Sequence, residues 1–211
     1  MTVKNQEQYR NQFEKQLTIV CCDAEGALID TYMFMYPAAN RQLYSSTHLY
    51  IYSLCTIRQR AILSVKKLIE PSGKDRINVH SIVEMILKPD FDLMSKIDKQ
   101  TLSNLFFELF NSDAALRVKN FRDAFCHNIP NNDEAFVFCK DVMHIMNGVL
   151  FILSTLYREV LKKDVDIFVE SKEIATVLSQ DYWNGINSAA KTVDSRVAMR
   201  KRLDQLLNRE F

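Results

Sequence analysis

Apolar residues recur every three or four positions along most of the chain, a spacing that places them on one face of an α-helix. The longest stripe predicts one helix over residues 38–69, and Arg58 interrupts it. Its apolar positions are Ile51, Cys55, Ile62, Val65 and Ile69. The preceding residues, 13–36, predict another helix, which Pro37 ends or kinks because proline lacks a backbone N–H.

Polar capping residues and turns divide the middle of the chain into shorter helices. A short helix is predicted at 79–87, and the next begins with Asp98 as its N-cap. Ser112 or Asp113 caps the helix after that, which is predicted to end near His127.

Two long helical stretches follow. Asp133-Glu134 opens a predicted helix that continues to about Lys163, and residues 164–211 predict two more helices. The chain has only four glycines and four prolines, which is too little turn-forming material for a strand-rich fold. We therefore predict an all-α fold, in which residues 1–163 form a helical bundle and residues 164–211 form a C-terminal helical extension packed on it.

Charge and cysteine content narrow the class of protein. The chain has 27 basic and 26 acidic residues, so nucleic acid would have to bind a local patch and not a global positive field. The five cysteines include no C-x-x-C pair, and the N-terminal sequence MTVKNQEQYRNQFEK is too polar for a signal peptide. These features predict a cytoplasmic protein with reduced thiols and without a bound metal.

The most apolar run, VMHIMNGVLFILSTLY at 142–157, is too short to span a bilayer. It also contains His144 and Asn147, which are polar. We interpret it as a core helix and expect no membrane association.

The segment RVKNFRDAFCHNIP at 117–130 carries the candidate chemistry. Arg122 and His127 are five residues apart, so on a regular helix they lie about 140° apart and about 7.5 Å along the axis. They can act together if the helix unwinds before Pro130, or if a twofold partner brings a second copy of the segment. The alternative is that both residues are purely structural. A helix C-terminus favours a His, and Arg122 can form an ion pair with its neighbour Asp123.

The sequence RDAFCHN resembles the signature of the HEPN superfamily, helical-bundle domains of prokaryotic toxin and abortive-infection systems. In that signature an Arg, often followed by a polar residue, precedes a His by four to six intervening residues, and Arg122, Asp123 and His127 match it. The upstream stretch IRQRAILSVKKLIEPSGKDRINVHSIVEMIL resembles the abortive-infection branch, where a long helix ends in an acidic-Pro-type turn and a short helix follows an Asn. The resemblance covers about residues 40–163.

The resemblance implies a metal-independent endoribonuclease of a toxin–antitoxin or antiphage abortive-infection system. It implies an RNA substrate and no cofactor, with an antitoxin protein as an optional further partner. The offset of about 140° between Arg122 and His127 adds the hypothesis of a homodimer with a shared cleft. In this interpretation Arg122 holds the phosphate and His127 transfers protons, while Asp123 either orients one of these two side chains or only balances charge. The expected product is a 2′,3′-cyclic phosphate.

One departure from the superfamily pattern bears on how that activity is controlled. Ile129 stands where many active toxins of the superfamily carry a Tyr that an antitoxin modifies, so that form of control is not expected here. The expected RNA contacts, besides the three motif residues, are Arg58, Arg117, Lys119 and Asn128. The structural alternatives are that Arg58 packs its stem along the helix with its charged end at the edge, and that Arg117 and Lys119 are ordinary helix surface. The alternatives are a catalytically inactive HEPN-type module that binds RNA, nucleotide or protein, and a structural subunit whose motif only stabilises a dimer.

Overall fold

The computed structural model describes residues 3–40, 48–71, 77–126, 137–162 and 168–207. In these ranges the chain forms seven helices and no strand, which confirms the predicted all-α fold. The helices are α1 (Val3–Ala39), α2 (His48–Ile69), α3 (Val79–Ile86), α4 (Lys96–Phe110), α5 (Asp113–Cys126), α6 (Cys139–Leu161) and α7 (Val169–Leu207).

The helices pack around one hydrophobic core. Helix α1 lies against α2, α6 and α7, and α6 also contacts α4 and α5, while α3 joins α2 to α4. The prediction that residues 142–157 form a core helix is confirmed, because α6 buries a continuous apolar face. That face includes Val142, Ile145, Val149, Leu153 and Leu156.

By length and composition, α6 would also be able to cross a membrane. Half of its most apolar window is buried inside the protein, however, and the core helix of a soluble protein has the same composition.

The first predicted helix boundary is wrong. Helix α1 continues through Pro37 to Ala39, and α2 begins only at His48, so residues 38–69 are not one helix. Pro37 has no N–H to donate to the carbonyl of Met33, four residues earlier. The indole N–H of the fully buried Trp183 donates to that carbonyl instead, at 2.7 Å. Because its free carbonyl is satisfied from α7, α1 passes its proline without breaking.

Two predicted helix starts also need correction. The N-cap of α4 is Ser95, whose hydroxyl accepts from the backbone N–H of Asp98, so Asp98 lies inside the first turn. Asp133 and Glu134, the predicted start of α6, lie outside the described residues, but Val137 and Phe138 are not helical and α6 begins at Cys139. The backbone N–H of Phe138 donates to the Asp141 carboxylate at 2.9 Å, and this closes the start of the helix.

The C-terminal region differs from its prediction as well. Residues 169–207 form one long helix, α7, where two helices were expected, since no proline interrupts it. Helix α7 packs along α1 and contacts α2. Its residues Ala175 and Trp183 belong to the same hydrophobic core as the residues of α1 and α2.

Candidate functional site

One side chain, that of Asn78, fixes the end of α2. Its amide nitrogen donates to the backbone carbonyl oxygens of Lys67, at 3.1 Å, and Glu70, at 2.7 Å. Its amide oxygen accepts from the backbone N–H of Ser81, in the first turn of α3. Asn78 therefore satisfies free backbone groups at the end of one helix and the start of the next. This double role sets the position of Glu70.

Glu70 meets the Arg122–Asp123 pair of α5 in a closed ring of four charged side chains, the α2–α5 charge ring. Arg122 Nη2 lies 2.5 Å from Glu70 Oε1, and Arg122 Nη1 lies 2.9 Å from Asp123 Oδ1. Lys66 Nζ completes the ring, 3.3 Å from Glu70 Oε1 and 3.7 Å from Asp123 Oδ1. Two cations alternate with two carboxylates, so the ring as a whole is neutral.

The ring is buried on one side only. The Lys66 side chain is 8% exposed, whereas those of Arg122, Glu70 and Asp123 are 30%, 28% and 37% exposed. An ammonium group buried to this extent requires partner anions, which the two carboxylates supply. Arg122 reaches solvent, but each of its terminal nitrogens already donates to a carboxylate. A phosphate would therefore bind Arg122 in competition with these groups.

A cleft of about 450 Å³ lies beside the charge ring, and Lys66 and Glu70 belong to both. Its apolar wall consists of Ile69, Pro71, Phe110, Ala115 and Leu116. Asn111 and Lys119 complete the lining. Lys119 is exposed and makes no ion pair with any described residue. Of the predicted RNA contacts that the structure describes, Lys119 is the one that lines this cleft.

The aromatic wall of the cleft is held rigidly from behind. The ring of Phe110 stacks on Phe106, with centroids 6.0 Å apart, and meets the edge of His80 at 5.8 Å. Phe106 is fully buried and anchors this cluster in the core. The Phe110 side of the cleft is therefore supported by rings that pack against the core.

Arg117, another predicted RNA contact, is held in a structural ion pair. Its Nε and Nη2 atoms donate to the two carboxylate oxygens of Asp141 at 3.0 and 2.7 Å, which joins α5 to α6. Burial alone would raise the pKa of Asp141, but the hydrogen bonds from Arg117 and from the Phe138 backbone outweigh it and lower that pKa. The same hydrogen bond raises the pKa of Arg117.

Arg58 lies away from the charge ring. Its guanidinium is 5.0 Å from the ring centroid of Phe121, the residue before Arg122 on α5. This cation–π contact accounts for a polar residue in the apolar stripe of α2. A role for Arg58 or Arg117 in RNA binding stays a prediction. RNA would have to bind each residue alongside its present partner or displace that partner.

Two predicted site residues, His127 and Asn128, lie outside the described residues. His127 follows Cys126, the last residue of α5, directly in sequence. The structure therefore describes the Arg122–Asp123 half of the motif and the helix that leads to its second half.

Two members of the charge ring, Lys66 and Glu70, were not among the site residues predicted from the sequence. Both lie in the quoted α2 stretch, four residues apart, a spacing that lets them pair on one helix face. That spacing was the available signal. Their contact with α5 depends on tertiary packing, since Glu70 and Arg122 are 52 positions apart.

Comparison of the chain with protein-family models, with curated proteins and with solved structures found no significant match. Within the described residues, no group of three or more His, Cys, Asp or Glu side chains is placed to hold a metal ion.

Proposed function

We propose that this protein is a HEPN-type helical bundle that cleaves RNA without a metal ion, in a prokaryotic toxin–antitoxin or abortive-infection system. The observation that carries the proposal is the position of Arg122. Its guanidinium reaches solvent and contacts the carboxylate of Glu70, which lines the cleft. Arg122 also lies near the end of α5, five residues before His127 in sequence. Asp123 holds one edge of the same guanidinium.

The chemistry proceeds by attack of a ribose 2′-hydroxyl on the adjacent phosphorus. His127 accepts the proton of that hydroxyl, or protonates the 5′ oxygen as its bond to phosphorus breaks. Arg122 stays protonated and stabilises the negative charge of the pentavalent phosphate. The products are a 2′,3′-cyclic phosphate and a 5′-hydroxyl end.

A homodimer provides separate residues for accepting and for donating the proton. With two copies of the motif around one cleft, one His127 accepts a proton while the other donates one. The partners of the proposed system are therefore a second copy of the chain, the RNA substrate and an antitoxin protein, all in the cytoplasm. Sedimentation at working concentration tests the dimer, and a species that stays monomeric with RNA present rules it out.

The test of the activity is cleavage of total RNA in EDTA by the wild type and four variants. We expect Arg122→Ala and His127→Ala to abolish cleavage. The matched controls are Arg158→Ala, which removes an exposed guanidinium on α6, and His144→Ala, which removes an exposed imidazole. Both controls are expected to cleave as the wild type does. Cleavage that survives loss of Arg122 or His127 would refute the proposal.

One observation favours the alternative, a catalytically inactive module that binds RNA, nucleotide or protein. Both terminal nitrogens of Arg122 donate to carboxylates, as they would if the residue only joined α5 to α2. The same assay separates the two functions. RNA binding without cleavage, measured by fluorescence anisotropy, would support the binding module.

A further inference from the structure

Two cations of the α2–α5 charge ring converge on a single oxygen atom. Arg122 Nη2 lies 2.5 Å and Lys66 Nζ 3.3 Å from the same carboxylate oxygen, Oε1 of Glu70. A guanidinium and an ammonium around one anionic oxygen form the arrangement that binds a phosphate oxygen in many proteins. The cations are therefore already spaced for an oxyanion.

The carboxylate of Glu70 lies between these two cations although its position at the helix end disfavours a negative charge. Glu70 follows the last residue of α2, where the helix dipole disfavours a carboxylate. Among the described residues only Lys66 and Arg122 form ion pairs with its carboxylate, whereas Asn78 donates a hydrogen bond to its backbone carbonyl. Its side chain also lines the open cleft, so it has space to move away.

We propose that Lys66 and Arg122 form a phosphate-binding site that Glu70 occupies in the free protein. A phosphate ester binds by displacing the Glu70 carboxylate from Arg122 and Lys66, while Asp123 keeps hold of the other edge of the guanidinium. Glu70 is thus an internal competitor of the ligand. The inference rests on the proposed function only in that it takes RNA as the natural source of the phosphate.

The adjoining cleft indicates what the phosphate carries. Beside the two cations it offers the aromatic Phe110, the aliphatic Leu116 and the amide of Asn111. These groups suit a nucleobase, which combines flat apolar faces with polar edges. The ligand class is therefore a nucleoside phosphate, either within RNA or as a free nucleotide.

The first experiment measures binding of inorganic phosphate, by isothermal titration calorimetry, to the wild type, Glu70→Gln and Glu70→Ala. We expect both variants to bind phosphate about fivefold more tightly, because removing a partly exposed ionic competitor has an effect of this order. Glu70→Ala is included because a glutamine oxygen can still accept a hydrogen bond from Arg122. Circular dichroism checks that each variant is folded.

The matched control is Glu159→Gln, which changes net charge equally at a carboxylate on α6 that pairs with Arg158 and Lys162. We expect it to bind phosphate as the wild type does. If the Glu70 variants bind no more tightly than Glu159→Gln, the inference is overturned. Failure of Arg122→Gln in the Glu70→Ala background to weaken phosphate binding would overturn it equally.

A second experiment concerns the cleft. Leu116→Trp would fill it from an exposed position, and Ile97→Trp adds the same side chain at an exposed position outside the cleft. We expect Leu116→Trp to weaken binding of adenosine monophosphate about tenfold, corresponding to loss of a stacked base, while leaving inorganic phosphate unaffected. Equal nucleotide binding by Leu116→Trp and Ile97→Trp would remove the nucleobase part of the inference.

The results are separable from those on the nuclease. If the wild type cleaves RNA through Arg122 and His127 but the Glu70 variants gain nothing in phosphate affinity or KM, the inference fails and the proposed function stands. If no RNA is cleaved but the Glu70 variants bind phosphate more tightly, the phosphate site stands and the nuclease fails. Comparing a ribo-oligonucleotide with a mononucleotide then shows which source of phosphate is preferred.

Discussion

The indole N–H of Trp183 in α7 donates a hydrogen bond to the backbone carbonyl of Met33 in α1, at 2.7 Å. Met33 is the residue whose carbonyl Pro37 leaves without an intrahelical donor. A side chain from a distant part of the chain therefore replaces a missing backbone hydrogen bond. Pro37 and Trp183 are structurally coupled through this carbonyl.

This pair predicts a specific double-mutant result. Trp183→Phe should lower the free energy of unfolding by about 1–3 kcal/mol, since it leaves a carbonyl without a donor. In a Pro37→Ala background the new N–H can bond Met33, so the same substitution should cost less. Urea unfolding followed by circular dichroism measures both, because Trp183 is the only tryptophan of the chain. Equal costs in the two backgrounds would contradict the pairing.

The Arg117–Asp141 pair predicts a dependence of stability on pH. The folded protein lowers the pKa of Asp141 below its ordinary value of 3.8. The ionised carboxylate therefore stabilises the fold fully above about pH 4, and this contribution is lost as pH falls through the lowered folded pKa. We expect Asp141→Asn to cost about 1.5–3 kcal/mol at pH 6.

The check is urea unfolding of both proteins between pH 6 and pH 3. The difference in stability between the wild type and Asp141→Asn should shrink below pH 4, because the unfolded wild type then binds a proton at Asp141 that the folded state takes up only at lower pH. A difference that stays constant over this range would show that the carboxylate charge does not stabilise the fold.

Asn78 predicts a larger loss than an ordinary N-cap. Asn78→Ala removes the cap of α3 and both hydrogen bonds to the carbonyls of α2, for a cost of about 3 kcal/mol. Ser95→Ala removes only the N-cap of α4 and should cost about 1 kcal/mol. Chemical denaturation of the two variants compares them directly. Similar losses would mean that the bonds to Lys67 and Glu70 contribute nothing.

Replacing Gly148 by alanine is predicted to destabilise or stabilise the fold depending on the size of residue 109. A Cβ at this position would lie 2.7 and 2.8 Å from the two terminal carbons of Leu109, at the contact of α6 with α4. Gly148→Ala should therefore destabilise the wild type, since overpacking costs about 1–3 kcal/mol. In a Leu109→Ala background the space is open, and the same change should stabilise by about 1 kcal/mol through helix propensity. Thermal unfolding distinguishes the two signs.

Hydrophobic periodicity predicted most of the helices because it reports which face of a segment is buried. It placed α3 and α5 within about one residue of their ends. It failed at Pro37, where one contact, Trp183 to Met33, connects segments 150 positions apart, and it divided α7 into two helices. Local rules carry no information about such a contact, so the proline was interpreted as a break or a kink.

The same reasoning explains what was predicted of the site. Arg122, Asp123 and Lys119 were named because they lie on one helix beside a recognisable pattern, and the structure places them at or next to one cleft. Lys66 and Glu70 were missed, and Arg117 was expected to contact RNA or to be ordinary helix surface, whereas it pairs with Asp141. In each case the deciding partner lies on another helix, and only packing brings the two together.

The neutrality of the α2–α5 charge ring has a consequence for ionic strength. Binding of RNA normally weakens steeply with added salt, because protein cations release the counterions condensed on the phosphates. Arg122 and Lys66 already neutralise two carboxylates, and a freed Glu70 would attract sodium ions of its own. Capture of a phosphodiester by this ring alone would thus be nearly insensitive to sodium chloride, and any strong salt effect would report on unpaired cations such as Lys119.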